Sequence, residues 1–325
     1  MTRSSKGVEA ALAQLNALRA DARAPASVDQ IKKALGDRSN LIAARAADIV
    51  REAKLEALLP DAAAMCRRFM RDPAKSDPGC AAKTAAAKAL YELGAREREL
   101  LLDGARFVQP EPGFGRPTDT AAELRAVCAL ALVRIAHPQQ LEVLADHLMD
   151  PEPQVRLGAA RAVGYAGSDT GTLLLRMKVR AGDAEEDVLA ECFGQLLKLA
   201  PARSVEFASG FLDSRDESFR RAAAFALGAS RDPAALQVLV DRWERDFSAD
   251  NRLLLVPAIA LHRSGGAIDF LIDRLEAVGA DLAMAIVEGL SAYRHDATVR
   301  PRVERIVETR NDRTLNDAFV RHFGR

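Results

Sequence analysis

One short pattern, a helix-length run dominated by Ala and Gly, returns along this chain and limits what it can fold into. It reads VRLGAARAVG at residues 155 to 164. It comes back as CAAKTAAAKAL (80 to 90), LRAVCALALV (124 to 133), FRRAAAFALG (219 to 228) and, more loosely, LAMAIVEGLS (282 to 291). With Val155 as reference, equivalent anchors fall at Ile42, Ala82, Leu124, Val155, Val188, Phe219, Leu253, Leu282 and Leu315, at intervals of 40, 42, 31, 33, 31, 34, 29 and 33 residues. Such a period holds two helices and two turns, and no strand pattern intervenes, so the spacing predicts nine helical hairpins.

The helix before each anchor has a different character. QQLEVLADHLM (139 to 149), AALQVLVDRWERDF (234 to 247) and AIDFLIDRLEAV (267 to 278) carry bulky apolar residues at helical spacing. Each hairpin thus joins a first helix of large residues to a second of small ones. Small faces let successive second helices approach closely while Leu and Val fill the layers between them. At 325 residues the chain exceeds the usual single core, which agrees with a stack.

Charge and targeting signals narrow the partners. Lys plus Arg equals Asp plus Glu at 46 each, so no global field draws the protein to nucleic acid or an anionic membrane. Residues 1 to 115 carry a net charge of +4, a weak asymmetry. Val8, Leu12, Leu15 and Leu18 fall at helical spacing in place of a continuous apolar signal region, and no run is long enough for a membrane span. A cytoplasmic location is the expectation. Cys66, Cys80, Cys128 and Cys192 lack CxxC spacing, and Cys128 and Cys192 stand where the repeat elsewhere has Ala, so they read as small buried thiols.

Punctuation follows the same division. Asp150-Pro151 reads as an N-cap followed by Pro at the first helical position, and Gly94, Gly164 and Gly228 read as left-handed helix ends. Asp119, Asp183, Asp216, Asp250, Asp281 and Asp312 lie just ahead of their anchors, placed to accept unpaired amide protons.

These residues resemble HEAT repeats of the short, phycobilisome-lyase-like kind. The family's second-helix pattern is matched by Asp150, Val155-Arg156, Ala159-Ala160 and Ala162-Val163-Gly164, and by Asp216, Phe219-Arg220, Ala223-Ala224 and Ala226-Leu227-Gly228. The resemblance is strongest from about 120 to 293 and implies an all-α, right-handed α-α superhelix, a solenoid of about nine hairpins. In the family the Asp and Arg form a ladder between neighbouring units. Lys83, Arg125, Arg156 and Arg220 keep the basic residue, whereas Ala43, Leu189, Leu254, Ala283 and Asn316 do not, so a patchy ladder is expected.

The expected organisation is a capping helix over 1–26, units over 27–106, an irregular loop over 107–119 and further units over 120–325. Two insertions break the period: RDPAKSDPGC (71 to 80) and FVQPEPGFGRPTDT (107 to 120), the latter punctuated by Pro and Gly around Phe107 and Phe114. The loop reads as an exposed connector or as a partner contact. Gly113-Phe114-Gly115 follows no strand and lacks a third Gly, so it is no nucleotide fingerprint.

No catalytic constellation stands out. His137, His147, His262, His295 and His322 sit at unit ends without metal-binding spacing, and no metal or cofactor is expected. HEAT-like hydroxylases rely on His-Glu pairs, absent here, and HEAT-like glycosylases on a basic groove with Trp; Trp243 lies instead in a first helix whose packing explains it. The resemblance also brings bilin lyases and nucleic-acid binders as runner-up readings.

What remains is a binding surface. Six positions past each anchor, expected to face the concave side, stand Asp48, Lys88, Leu130, Arg161, Gly194, Phe225, Ile259, Glu288 and Arg321, charged at the ends and apolar in the middle. LLLVPAIAL (253 to 261) is apolar all round, with Pro257 expected to kink or shorten its helix. The expected function is a non-catalytic scaffold whose groove of Phe225, Leu255, Val256 and Ile259, flanked by Arg161, Arg221 and Glu288, holds a protein partner.

Overall fold

The computed structural model describes residues 5–113 and 115–324, so Phe114 lies outside the described residues. The described chain is all-α apart from one two-residue ladder. Its contacts divide it into two compact units, Met1–Ala166 and Gly167–Arg325.

In the first unit α1 (Ser5–Leu18) precedes four helix pairs. These are α2 (Pro25–Leu35) with α3 (Asn40–Glu52); α4 (Leu59–Phe69), a one-turn α5 (Pro73–Ser76) and α6 (Ala81–Glu92); α7 (Arg98–Ala105) with α8 (Ala122–Arg134); and α9 (Gln140–His147) with α10 (Pro153–Ala166). The second unit holds five: α11 (Asp169–Ala181) with α12 (Glu186–Leu199), α13 (Pro201–Ser209) with α14 (Glu217–Ser230), α15 (Pro233–Arg245) with α16 (Ala249–His262), α17 (Gly265–Leu275) with α18 (Ala280–Leu290), and α19 (Val299–Arg310) with α20 (Arg313–Phe323).

Second helices pack on second helices. In the first unit α3 meets α6, α6 meets α8 and α8 meets α10; in the second, α12, α14, α16, α18 and α20 follow one another in the same way. Ala43, Ala46 and Ala47 of α3 and Ala82, Ala86 and Ala89 of α6 are buried to 0% exposure, as close stacking requires. First helices supply the bulk with Phe69, Leu101, Leu144, Leu175, Leu239, Trp243 and Leu271. Each such side chain contributes roughly 1.5–3 kcal/mol on burial. Trp243 meets Phe270 edge-on with centroids 5.9 Å apart, which confirms a packing role.

Local chemistry sets the boundaries, with some differences from the sequence reading. Asp216, Asp232 and Asp312 accept hydrogen bonds from the first amides of α14, α15 and α20, and Ser168 and Ser264 do the same for α11 and α17. α10 starts at Pro153 rather than Pro151, and Asp150 receives the Glu152 amide. Gly94 has φ 74°, as a left-handed end requires, but Gly164 and Gly228 lie inside helices. Gly228 is needed for another reason: a Cβ there would overlap the Ala258 carbonyl of α16. The left-handed ends of α14 and α16 fall instead on Arg231 (φ 55°) and Arg263 (φ 60°). α16 runs through Pro257 to His262 without being shortened.

The loop over 107–119 is not irregular throughout. Pro110–Glu111 (β1) pairs antiparallel with Thr118–Asp119 (β2). The Gln109 amide donates to Asp119 Oδ1 at 2.9 Å and its side-chain nitrogen to the Asp77 carbonyl at 2.9 Å, while Glu111 Oε1 accepts from the Gly79 amide at 2.8 Å. These bonds strap the loop onto the residues that open α6.

Candidate functional site

The outward face of the second helices in the second unit is built by a fixed rhythm. On α14, Ala222, Ala223, Ala224, Ala226 and Leu227 are buried, whereas Arg221 and Phe225 point to solvent, Phe225 with 55% of its surface exposed. On α18, Leu282, Ala283, Ile286 and Val287 are buried and Glu288 is exposed. Arg221 is held by carboxylates on two helices, at 2.9 Å from Glu186 Oε2 and 3.1 Å from Glu217 Oε1. Arg161, an exposed residue of α10, belongs to the first unit.

Leu255, Val256 and Ile259 do not belong to this face. They are 2%, 0% and 0% exposed, and beyond its first turn the exposed residue of α16 is Pro257. The cause is a register shift of two residues. Placing the α16 anchor at Asn251 puts Leu255, Val256 and Ile259 at the inward positions four, five and eight residues on, with Pro257 at the outward sixth. The intervals then become 32 and 31 instead of 34 and 29, in line with their neighbours. That unevenness was the signal; a polar anchor hid it. Asn251 lines a small recess shared by the charged Arg220, Arg242 and Asp246 and by Leu212, Leu254 and Leu255. In the corrected register the outward row of the second unit is Phe225, Leu253, Pro257 and Met284, rimmed by Arg221 and Glu288.

The buried charges form structural ladders. In the first unit Lys83 Nζ lies 2.8 Å from Asp77 Oδ2, both side chains at 0% exposure. Arg125 donates to Asp150 through Nε at 2.9 Å and Nη2 at 3.0 Å, and to Asp119 through Nη1. The ladder is patchy at second-helix positions, and first helices fill two gaps: Lys178 of α11 reaches Asp183 at 2.8 Å, and Arg242 of α15 reaches Asp246 at 2.7 Å.

The four cysteines and three of the histidines, His137, His147 and His262, are enclosed. Burial pushes the Cys66 and Cys192 thiols up to about 12 and the Cys80 thiol to about 11, and raises Cys128 well above its ordinary value. His147, with its pKa lowered by burial, has Nε2 2.7 Å from the Ala105 carbonyl, and His262 sits between Ser264 Oγ and the Asp232 carbonyl. Among the described residues, no group of three His, Cys, Asp or Glu side chains is arranged to hold a metal. No helix among them is long and apolar enough to cross a membrane.

Comparison with known proteins bears on the fold. Residues 174–255 match the HEAT repeats family model. No curated protein sequence matches the chain. Among solved structures, the complex of CpcE and CpcF of phycocyanin lyase from Nostoc sp. PCC7120 is similar at 16% identity and TM-score 0.37, over 79% of this chain and 94% of that one. Human deoxyhypusine hydroxylase in complex with glycerol is similar at 21% identity and TM-score 0.30, over 80% and 91%. An engineered protein is similar at 15% identity and TM-score 0.36, over 91% and 92%. TM-scores this low say nothing of activity. The family match runs from α11 into α16, so residues 174–255 are similar to HEAT repeats, and paired helices repeat on both sides of that stretch.

Proposed function

We propose that this helical-repeat protein is a non-catalytic scaffold that holds a protein partner on the outward row of second helices in its second unit. The observation that supports the reading most is Phe225, a large aromatic side chain left 55% exposed on a helix whose other outward neighbours are small or charged. Exposed aromatics rimmed by charge are the usual anchors of protein interfaces. Leu253, Pro257 and Met284 extend the apolar row across α16 and α18. Arg221 and Glu288 supply opposite charges at its rim for orientation.

The test is cross-linking mass spectrometry on complexes captured with the wild-type chain and with Phe225→Glu. Cross-links from a partner to α14, α16 or α18, lost in a folded Phe225→Glu protein, support the scaffold reading. Capture unaffected by the substitution removes the row from consideration. A tetrapyrrole absorption band on incubation with bilin and an acceptor protein would replace the reading by a catalytic one.

A further inference from the structure

The insertion at 71 to 80 carries the buried Asp77 of the ladder and also forms one wall of a cavity. Lys75, Ser76 and Pro78 from that insertion face Lys33 and Gly36 of the α2 end, the Asp37–Asn40 turn and Val8 of α1, around a volume of about 670 Å³. Cavities of roughly 300–1,000 Å³ are the size that encloses small ligands. All of these residues belong to the first unit.

The lining is cationic although the chain as a whole is neutral. Lys33, Arg38 and Lys75 stand against one carboxylate, Asp37, whose Oδ1 accepts the Ser39 amide at 2.9 Å. The three cations come from separate segments and make no ion pair among the described residues. Like charges gathered in one recess repel unless an anion joins them. Ser39, whose side chain makes no bond to the α3 amides, lines the cavity at the positive end of a 13-residue helix. The Asn40 side chain is already committed to Asp77 Oδ1 and the Pro78 carbonyl, which ties the insertion to α3 and fixes the wall. Among the described residues, no aromatic ring lines the cavity for stacking a nucleobase.

We propose that this cavity binds a compact phosphate-bearing molecule, its charge met by Lys33, Arg38 and Lys75 and its oxygens by the Ser39 hydroxyl. The phosphate can arrive on a soluble molecule or on a lipid headgroup. The site is independent of the partner row in the second unit, so neither result decides the other.

The experiment titrates the full chain with inorganic pyrophosphate by calorimetry. In parallel, the chain is floated with phosphatidylcholine vesicles with and without phosphatidic acid. Lys33→Gln, Arg38→Gln and Lys75→Gln replace exposed side chains, and circular dichroism checks their folding. Arg96→Gln makes the same charge change outside the lining. Saturable pyrophosphate binding, weakened about tenfold by each of the three and unchanged by Arg96→Gln, is the expected result. Flotation with phosphatidic acid alone, lost in the same three variants, identifies a headgroup as the source. Binding to neither probe, or equal weakening by Arg96→Gln, overturns the proposal.

Discussion

Arg125 of α8 grips Asp150, in the turn of the next helix pair, through two parallel hydrogen bonds, Nε to Oδ2 at 2.9 Å and Nη2 to Oδ1 at 3.0 Å. The same guanidinium reaches back to Asp119 and to the Phe107 carbonyl at 2.9 Å, so one side chain joins two pairs and the strap. Only a planar fork serves all of these acceptors at once. Arg125→Leu leaves two enclosed carboxylates without a counter-charge and should cost about 3–5 kcal/mol. Denaturant unfolding at neutral pH measures it, with Arg125→Lys expected to recover only part of the loss.

Two glycines of the second unit should respond in opposite directions. Gly228→Ala pushes α14 away from the Ala258 backbone and should destabilise by about 1–3 kcal/mol. Gly194, inside α12, has nothing within 4 Å of an added Cβ, so Gly194→Ala should stabilise by about 0.5–1 kcal/mol. Paired thermal melts of the two variants decide the matter.

Ile259 and Phe225 separate core from surface. Ile259→Glu places a carboxylate at a position with 0% exposure and should unfold at least the second unit, seen as loss of helical circular dichroism. Phe225→Glu, at a position 55% exposed, should keep full helicity. Equal damage from both would show that Phe225 packs more tightly than its exposure indicates.

Acid should release the strap. Desolvation raises the pKa values of Glu111 and Asp119, but hydrogen bonds outweigh it and both fall below the ordinary range. The donors are Gln109, Gly79 and Thr120 for Glu111, and the Gln109 and Ala121 amides with Arg125 for Asp119. With folded values depressed, their stabilisation is complete above about pH 5 and fades as pH falls below about 4. Protection against hydrogen exchange at the Gly79, Gln109 and Ala121 amides, measured relative to the intrinsic rate at each pH, should fall over that window. Asp119→Asn should speed exchange at Gln109 and Ala121 already at neutral pH.

Hairpin number and the small-on-small stacking were legible because Ala and Gly recur wherever two backbones approach. The face of α16 was not, because its anchor is Asn251 and a search for apolar anchors slides two residues to Leu253. With a uniformly apolar helix, composition cannot report which side is inward; spacing to the neighbouring repeats can. The strap and the cavity were invisible for a different reason. They depend on Gln109 and Glu111, which bond to residues far away in sequence, and on Lys33 and Lys75, which line one cavity from distant segments. No periodicity marks such residues.

Pro257 carries a chemical consequence beyond its place in the outward row. A proline nitrogen bears no hydrogen, so the Leu253 carbonyl, one turn earlier, is denied the donor that every ordinary helical residue would offer it. Between two apolar side chains there is thus a backbone acceptor whose helical partner is missing. A side chain or main-chain amide approaching α16 could satisfy it only in one orientation, so this missing hydrogen supplies a directional preference that greasy contacts alone cannot.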